Sequence, residues 1–464
     1  MNETEPVPAQ PFLDRLPPLW PDDQLRAEIR RLRESSGACI VALDDDPTGT
    51  QTVSDVQVLA APQLHDLIDA LRAGEPALYV LTNSRSLPEA DAFVLTRALA
   101  TDLALAARRA ARPLLLVSRS DSTLRGHFPA EVDALRLGVG ANLPALLIPF
   151  FAEGGRYTIG DVHWVRDGER LVPAAQTAFA RDPVFGYRHS CLPDWVEEKS
   201  AGRIAARQVA CLSIEALRRE GPPCARRWIH GLLPGQIGVI NAAHDRDLEV
   251  LAAAIHQGAG EKPLSRSAAS WVKILAGLAD PRPVAAADLP AGQGRGLTIV
   301  GSVVPRTDEQ LAALRRVPRL AWIELAVGRV MDPGERGPEI ERASEAVAAA
   351  WSAGQDAVVY TTRAASAPSD LHAGRIVSAA LVDVVRALPS PPRYLIAKGG
   401  ITASDIATEA LGMRSARVLG PILPGVPAWR MGPETRWPGI PLIVFPGNVG
   451  EADSLASVVE ALRG

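Results

Sequence analysis

Three consecutive carboxylates, Asp44-Asp45-Asp46, follow the apolar run Ile40-Val41-Ala42-Leu43 and lead into Pro47-Thr48-Gly49-Thr50. The apolar run reads as a buried strand, so the acids stand at its carboxyl end, where open α/β sheets bind ligands. Like charges placed together repel, and they need a metal, basic side chains or substrate hydroxyls. The plainer alternative is a polar strand-to-turn junction, because Asp and Gly are ordinary turn residues. Two further strand ends mix acids or amides with arginine: Asn83-Ser84-Arg85, and Arg119-Ser120-Asp121-Ser122-Thr123-Leu124-Arg125-Gly126. An arginine fork pairs bidentately with a carboxylate, and aspartates with small hydroxyl residues hydrogen-bond sugar hydroxyls. An Asp beside a hydroxyl can orient it and take its proton as it attacks a phosphoryl group. The set outlines a pocket for a small polyhydroxy acid. Its alternative is a structural ion-pair network among Asp45, Asp46, Asp121, Arg85 and Arg125.

The second half offers glycine turns at three strand ends: Gly301-Ser302, Gly399-Gly400-Ile401-Thr402 and Pro446-Gly447-Asn448-Val449-Gly450. Glycine lets backbone approach an anion, and a helix N-terminus presents free N–H groups. Thr402 is expected to cap a helix starting near Ala403. Three such turns in one domain favour a nucleotide-phosphate site, although αβ turns use Gly and Thr in any case. The G-x-x-x-x-G-K-[ST] pattern is absent, which excludes a P-loop. Lys398 is expected either to touch phosphate or to be a solvated strand end. His127 and His163 read as pocket walls or satisfied core residues. No H-x-x-x-H pair and no G-x-S-x-G elbow occurs, so no protein-bound metal or serine nucleophile is expected.

These residues need strands and helices to hold them. Strands are expected at Cys39–Leu43, Ala77–Thr82, Pro113–Val117, Ala145–Pro149, Arg207–Leu212 and Ile237–Asn241. Helices are expected at Gln63–Arg72, Pro88–Arg109 and Pro129–Leu137. The second half adds strands at Leu297–Val300, Ala357–Tyr360, Tyr394–Ala397 and Leu442–Phe445. Alternation at this spacing means βαβ units and mostly parallel sheets. With 464 residues, the chain is too long for one ordinary core. The expected class is α/β with two domains, each a mostly parallel sheet flanked by helices. The expected boundaries are an N-terminal extension over residues 1–38, a first domain over 39–280 with an irregular insertion at 152–200 lining or capping the pocket, a linker at 281–296 and a second domain over 297–464.

Composition narrows the class. The chain is 47% hydrophobic and 22% charged, with net charge -4, and lacks the basic excess of a nucleic-acid binder. The four cysteines, Cys39, Cys191, Cys211 and Cys224, form no C-x-x-C pair, which suggests a reducing compartment. No apolar run is long enough for a membrane span, and the acidic, Pro-rich start lacks a secretory pattern. The cytoplasm is the expected location.

Taken in order, the motifs resemble those of the four-carbon acid sugar kinase family, from about residue 39 to 460. The matching stretches are Asp45-Asp46-Pro47-Thr48-Gly49, Asn83-Ser84-Arg85, Arg119–Gly126, Gly301-Ser302, Gly399–Thr402 and Pro446–Gly450. The resemblance implies an ATP-dependent kinase for tetronates or 3-oxo-tetronates, with an N-terminal substrate domain, a C-terminal nucleotide domain and the site in the cleft between them. It assigns Asp45, Asp46, Asn83, Arg85, Arg119, Ser120, Asp121 and Ser122 to the sugar acid. Ser302, Gly399, Gly400, Ile401, Thr402, Gly447 and Asn448 would bind ATP. Asp121 or Asp45 would act on the attacking terminal hydroxyl, O4. Arg125 or Arg119 would hold the carboxylate or offset phosphoryl charge, and Mg²⁺ would bridge the phosphates. The chain departs from the family pattern at Arg119 (usually Lys), Lys398 (usually small) and Pro446 (usually Ser). The implied partners are the small-molecule sugar acid and ATP, with neither nucleic acid nor membrane. A homodimer is compatible with them.

Two competing readings use the same residues. Asp44-x-Asp46-x-Thr48 after a strand also fits a haloacid-dehalogenase-like phosphatase, with Asp44 as nucleophile and Asp46 as acid/base. That chemistry needs a lysine, and none lies between Asp46 and Lys199. The other reading is a non-catalytic protein that binds nucleotide or sugar acid.

Overall fold

A computed structural model describes residues 5–260, 262–289, 294–362 and 371–463. The chain forms two compact units, one of residues 1–49 and 61–280, the other of 50–60 and 281–464. Thr50–Ala60, expected in the first domain, belongs instead to the second unit. It supplies a strand, Val56–Ala60, that pairs antiparallel with Ser415–Val418.

The first unit is built on seven parallel strands: β1 (Cys39–Asp44), β2 (Ala77–Leu81), β3 (Leu114–Arg119), β4 (Ala145–Ile148), β5 (Ala210–Leu212), β6 (Ile237–Ile240) and β7 (Leu264–Ser267). Their order across the sheet is β5-β6-β4-β7-β3-β1-β2. Every residue of β1, β2 and β4 is buried, as expected of strands covered by helices on both faces. The 22-residue helix Glu89–Ala110 places Glu89 and Asp91 in its first turn and Arg108 and Arg109 in its last, complementing its dipole. Ala111, at φ 52°, ends it in the left-handed region. Strand β7 is not expected from sequence, because Leu264-Ser265-Arg266-Ser267 carries a charged residue where an apolar one belongs.

The residues before β1 read from the sequence as a tail plus a helix over Asp22–Arg33, and the structure has both a helix and a strand there. The helix runs over Leu25–Ser36 and stops at Gly37, whose φ of 66° suits glycine at a helix end. Val7–Pro8 adds a short strand to Arg170–Leu171, and Phe12 packs on Trp164 with ring centroids 5.3 Å apart. The segment expected to be irregular, 152–200, contains strands Arg156–Ile159, Val162–Asp167 and Arg170–Pro173. With Val7–Pro8 they make a four-stranded antiparallel sheet. The charge and aromatics of this stretch hide its strands: Tyr157, Trp164 and Tyr187 are core residues here.

The second unit holds β8 (Leu297–Val300), β9 (Leu320–Leu325), β10 (Asp356–Thr361), β11 (Leu395–Lys398), β12 (Ser415–Leu423), β13 (Val426–Met431) and β14 (Pro441–Phe445). Strands β14, β11, β8, β10 and β9 run parallel in that order. The hairpin β12–β13 continues the sheet antiparallel beyond β14. Of the linker, residues 290–293 lie outside the described residues, whereas Val284 N–H donates to Pro421 O at 2.8 Å. No helix among the described residues is long and apolar enough to cross a membrane.

Candidate functional site

The ends of β1, β2, β3 and β7 bring the acids and arginines of the first unit together in two layers. Asp44, Asp45, Arg119 and Ser120 form a buried floor. Asp45 accepts from Arg85 Nη2 at 2.5 Å, from Arg85 Nε at 3.2 Å and from Ser120 Oγ at 2.5 Å. Burial works to raise the Asp45 pKa, but Arg85, then Arg266 and Arg119, overcome it and hold the carboxyl below its ordinary value. Asp46, Arg85, Asp121 and Arg125 form an upper layer with side chains 14–23% exposed. Arg85 Nη1 reaches Asp46 at 3.3 Å, and Arg125 Nε reaches Asp121 at 2.9 Å. The ion-pair network weighed as the plain alternative is therefore present, its upper layer only partly exposed.

Asp44 has a distinct place. Arg119 Nη1 donates to it at 3.1 Å, and Gly49 packs so closely on its carboxylate that a Cβ there would collide with it. Burial, reinforced by Asp45 and Asp46, outweighs Arg119 and pushes its pKa up to about 7. This sealed carboxyl is not presented as a nucleophile, which removes the geometry the phosphatase reading needs. Asn83 sits at φ 50° just after β2, a turn conformation that Asn tolerates. It sends the chain back so that Ser84 Oγ meets Glu131 Oε1 at 2.5 Å and Arg85 meets Asp45.

Asp121 accepts from Arg125, from Thr123 N at 3.1 Å and from the Thr123 hydroxyl. Burial opposes its ionisation, yet Arg125 and Arg85 with these hydrogen bonds hold it well below the usual carboxylate range. The 152–200 segment fastens this loop from outside. His163 Nε2 donates to Ser122 O at 2.8 Å and Tyr187 Oη donates to Thr123 O at 2.8 Å. Arg125 also pairs with Asp182 at 3.5 Å and lies over the Phe179 ring. Burial lowers the His163 pKa to about 4, so it is a neutral, satisfied core histidine. His127 donates to Ser84 O and Leu87 O.

Three contributors are not apparent from the sequence. Arg266 of β7 donates to Ser118 Oγ and Ser120 Oγ, each at 2.7 Å, and pairs with buried Glu131. Glu131 sits in the first turn of the helix Ala130–Val139. Trp195 lines a small cavity of about 10 Å³ with Ser120, Asp121, Arg125 and Arg266, and its buried indole N–H has no hydrogen-bond partner. A charge inside a short strand is the available signal for Arg266; nothing local marks Glu131 or Trp195.

In the second unit, Gly301-Ser302, Gly399–Thr402 and Gly447 follow β8, β11 and β14, adjacent strands of one sheet. A Cβ at Gly447 would come within 2.7 Å of Ser302 Oγ, and one at Gly399 within 3.0 Å of Thr402 Oγ1. Gly301 and Ser302 N–H donate to Lys398 O at 3.2 and 3.1 Å, and Gly399 N–H donates to Phe445 O at 2.8 Å, so hydrogen bonds hold the three turns against one another. Gly399, at φ 123°, takes the N-cap position and the helix begins at Gly400. Thr402 is thus a buried residue of the first turn and not the cap expected from sequence. Ile401 is exposed, as are Val303 and Val304, and these are the large exposed apolar side chains among the described residues of this unit. Asn448 lies in the turn after Gly447.

Lys398 is neither solvated nor placed at the rim. It is fully buried, donates to Pro446 O at 2.5 Å and Gly447 O at 3.0 Å, and lies over the Phe445 ring. Burial, with help from Arg306, lowers its pKa to about 7. Its role is to tie the late glycine loop to β11.

An acid–arginine pocket at one parallel sheet and a glycine cradle at another define a two-domain phosphotransferase, and comparison with known proteins agrees. The sugar-binding N-terminal domain family matches residues 40–275, and the nucleotide-binding C-terminal domain family matches residues 297–455. The chain belongs to the four-carbon acid sugar kinase family. It is 29% identical to D-threonate kinase of Bordetella bronchiseptica over 446 residues, 91% of this chain and 97% of that one. It is 28% identical to D-erythronate kinase of Heliobacterium modesticaldum over half of each chain. A solved structure from Salmonella typhimurium LT2 shares the fold, with a TM-score of 0.66, 18% identity and coverage of 91% of this chain and 98% of that one.

Proposed function

We propose that the protein transfers the γ-phosphoryl group of ATP to the terminal O4 hydroxyl of a four-carbon acid sugar, a threonate, an erythronate or a 3-oxo-tetronate. The observation that carries this reading is the layered carboxylate–arginine pocket at the ends of β1, β2 and β3, in a chain that also carries a glycine cradle of nucleotide type. The same groups suit hydroxyls and a carboxylate together: acids accept from hydroxyls, and arginines receive the acid.

In this reading Asp46, Arg85, Asp121, Ser122 and Arg125 contact the sugar acid. Asp45, Arg119 and Ser120 hold them from beneath, and Asn83 sets the turn that aims Arg85. Asp121 is held so far below the ordinary carboxylate range that it orients the attacking hydroxyl better than it strips the proton. That suffices where the transition state is loose and positioning dominates. Arg125 offsets charge near the transferred group. On the nucleotide side, Gly400 and Gly447 offer backbone N–H groups and Ser302 and Thr402 offer hydroxyls to the phosphates, while Gly399, its own N–H bonded to Phe445 O, sets the turn that presents them. Ile401 and Asn448 border them. Among the described residues no group of three or more His, Cys, Asp or Glu is arranged to hold a metal, so Mg²⁺ would arrive on the nucleotide and supply charge neutralisation of its phosphates. The four free cysteines fit a cytoplasmic setting.

A coupled ADP-release assay over a panel of tetronates and 3-oxo-tetronates tests the proposal. ADP formation that depends on both ATP and one acid sugar supports it. Phosphate release from sugar phosphates without ATP would instead restore the phosphatase, and binding of both ligands without turnover would restore the non-catalytic reading.

A further inference from the structure

Around Asp45 and Asp121 the arginines are spoken for, with one exception. Arg85 pairs with Asp45 and Asp46, Arg119 with Asp44, Arg125 with Asp121 and Asp182, and Arg266 with Glu131. Arg156 makes no ion pair among the described residues, and its Nε is sealed from solvent without a hydrogen-bond partner. It is nevertheless firmly placed. Its backbone exchanges both hydrogen bonds with Phe151, at 2.9 and 3.0 Å, and Nη1 donates to Gly154 O. Its guanidinium lies 5.5 Å from the Phe179 ring centroid, and that of Arg125 lies 5.1 Å from the same ring. Two cations thus share one aromatic ring; only Arg125 is in direct ion pairs, and Asp121 acts on Arg156 from beyond ion-pair distance. A largely buried cation with no direct ion pair is costly even with Asp121 acting on it from farther away, and a guanidinium already held in place regains most when its remaining N–H groups meet a carboxylate.

We propose that Arg156 receives the carboxylate of the substrate and sets the preference for an acid sugar over the uncharged polyol of the same length. The proposal rests on the sugar-acid kinase reading and deepens it. The 152–200 segment thereby gains a part in substrate recognition, since it brings both Arg156 and the Phe179 ring to the loop that carries Asp121 and Arg125.

The test compares Arg156→Ala and Arg156→Lys with the wild type, using a tetronate and the matching tetritol as the two ligands. Turnover is followed by ADP release and binding by calorimetry. For Arg156→Ala the tetronate KM rises at least about tenfold while kcat stays within about threefold, tetritol binding is unchanged, and Arg156→Lys recovers part of the loss. Equal weakening of both ligands would show a structural role. A fall in kcat at constant tetronate KM would place Arg156 at the transferred phosphoryl group. An unchanged tetronate KM would remove it from the site; each of these results overturns the proposal. The calorimetric arm needs no turnover. If no tetronate supports ADP formation in the wild type, the kinase reading fails while the carboxylate preference is still decided by binding.

Discussion

At the residue scale the acids of the site differ by environment more than by type. Asp121 and Asp45 are held below their ordinary range by arginines, whereas Asp44, one residue from Asp45, is pushed up to about 7 by burial. Asp121→Asn keeps the shape but weakens the acceptor that orients the hydroxyl. Turnover is expected to fall by about a hundredfold or more, with the ATP KM unchanged, as read by steady-state kinetics; turnover near the wild-type level would take Asp121 out of the reaction. Asp44 predicts a pH effect on stability. Its folded pKa lies above the unfolded value of 3.8, so between about pH 4 and 7 the native state binds the extra proton. The stability this confers is complete below the unfolded value and is lost as pH rises through about 7. Melting temperatures of wild type and Asp44→Asn across that range should converge or cross toward neutrality, with the wild type losing the more. Parallel curves would show that Asp44 is ionised throughout. The acids and paired arginines are visible in the sequence because they cluster at strand ends. Arg266 and Glu131 are not, because they meet only through the fold, 135 positions apart.

Among the elements, two loops matter most. The Arg119–Gly126 loop is fixed by groups from the 152–200 segment, among them the Tyr187 hydroxyl on Thr123 O. Tyr187→Phe should cost about 1 kcal/mol of stability and raise the acid-sugar KM with little change in the ATP KM. A shift confined to ATP would contradict the role given to this segment. The Gly399 loop works by close backbone approach at φ 123°, a region that side chains rarely adopt. Gly399→Ala should cost roughly 1–3 kcal/mol and weaken nucleotide binding in a fluorescent-nucleotide titration, with sugar-acid binding retained; normal nucleotide affinity would show that the turn tolerates a side chain. Parallel strands are legible because they are continuous apolar runs. The β12–β13 hairpin is not, since Pro421 and Pro427 inside it argue against strand. A charge at a strand end is ordinarily solvated, so the sequence of Lys398 misleads, and only the structure shows the two carbonyls that receive it.

Along the whole chain, an acid–arginine site on the first parallel sheet is followed in sequence by a glycine cradle on the second, in the order of the two family domains. Order and spacing of six short motifs make that organisation readable. The antiparallel sheet of residues 7–8 and 156–173 and the pairing of Val56 with Val418 and of Leu59 with Ser415 within the second unit depend on long-range contacts that no local pattern records. Transfer of phosphate to the terminal hydroxyl of an acid sugar is tested most directly by ³¹P and ¹H NMR of the product formed from ATP, Mg²⁺ and the tetronate that best supports ADP release. One phosphomonoester is expected, its phosphorus coupled to the C4 protons, formed in step with ADP. Phosphate on another oxygen, or inorganic phosphate as the only product, would contradict that transfer.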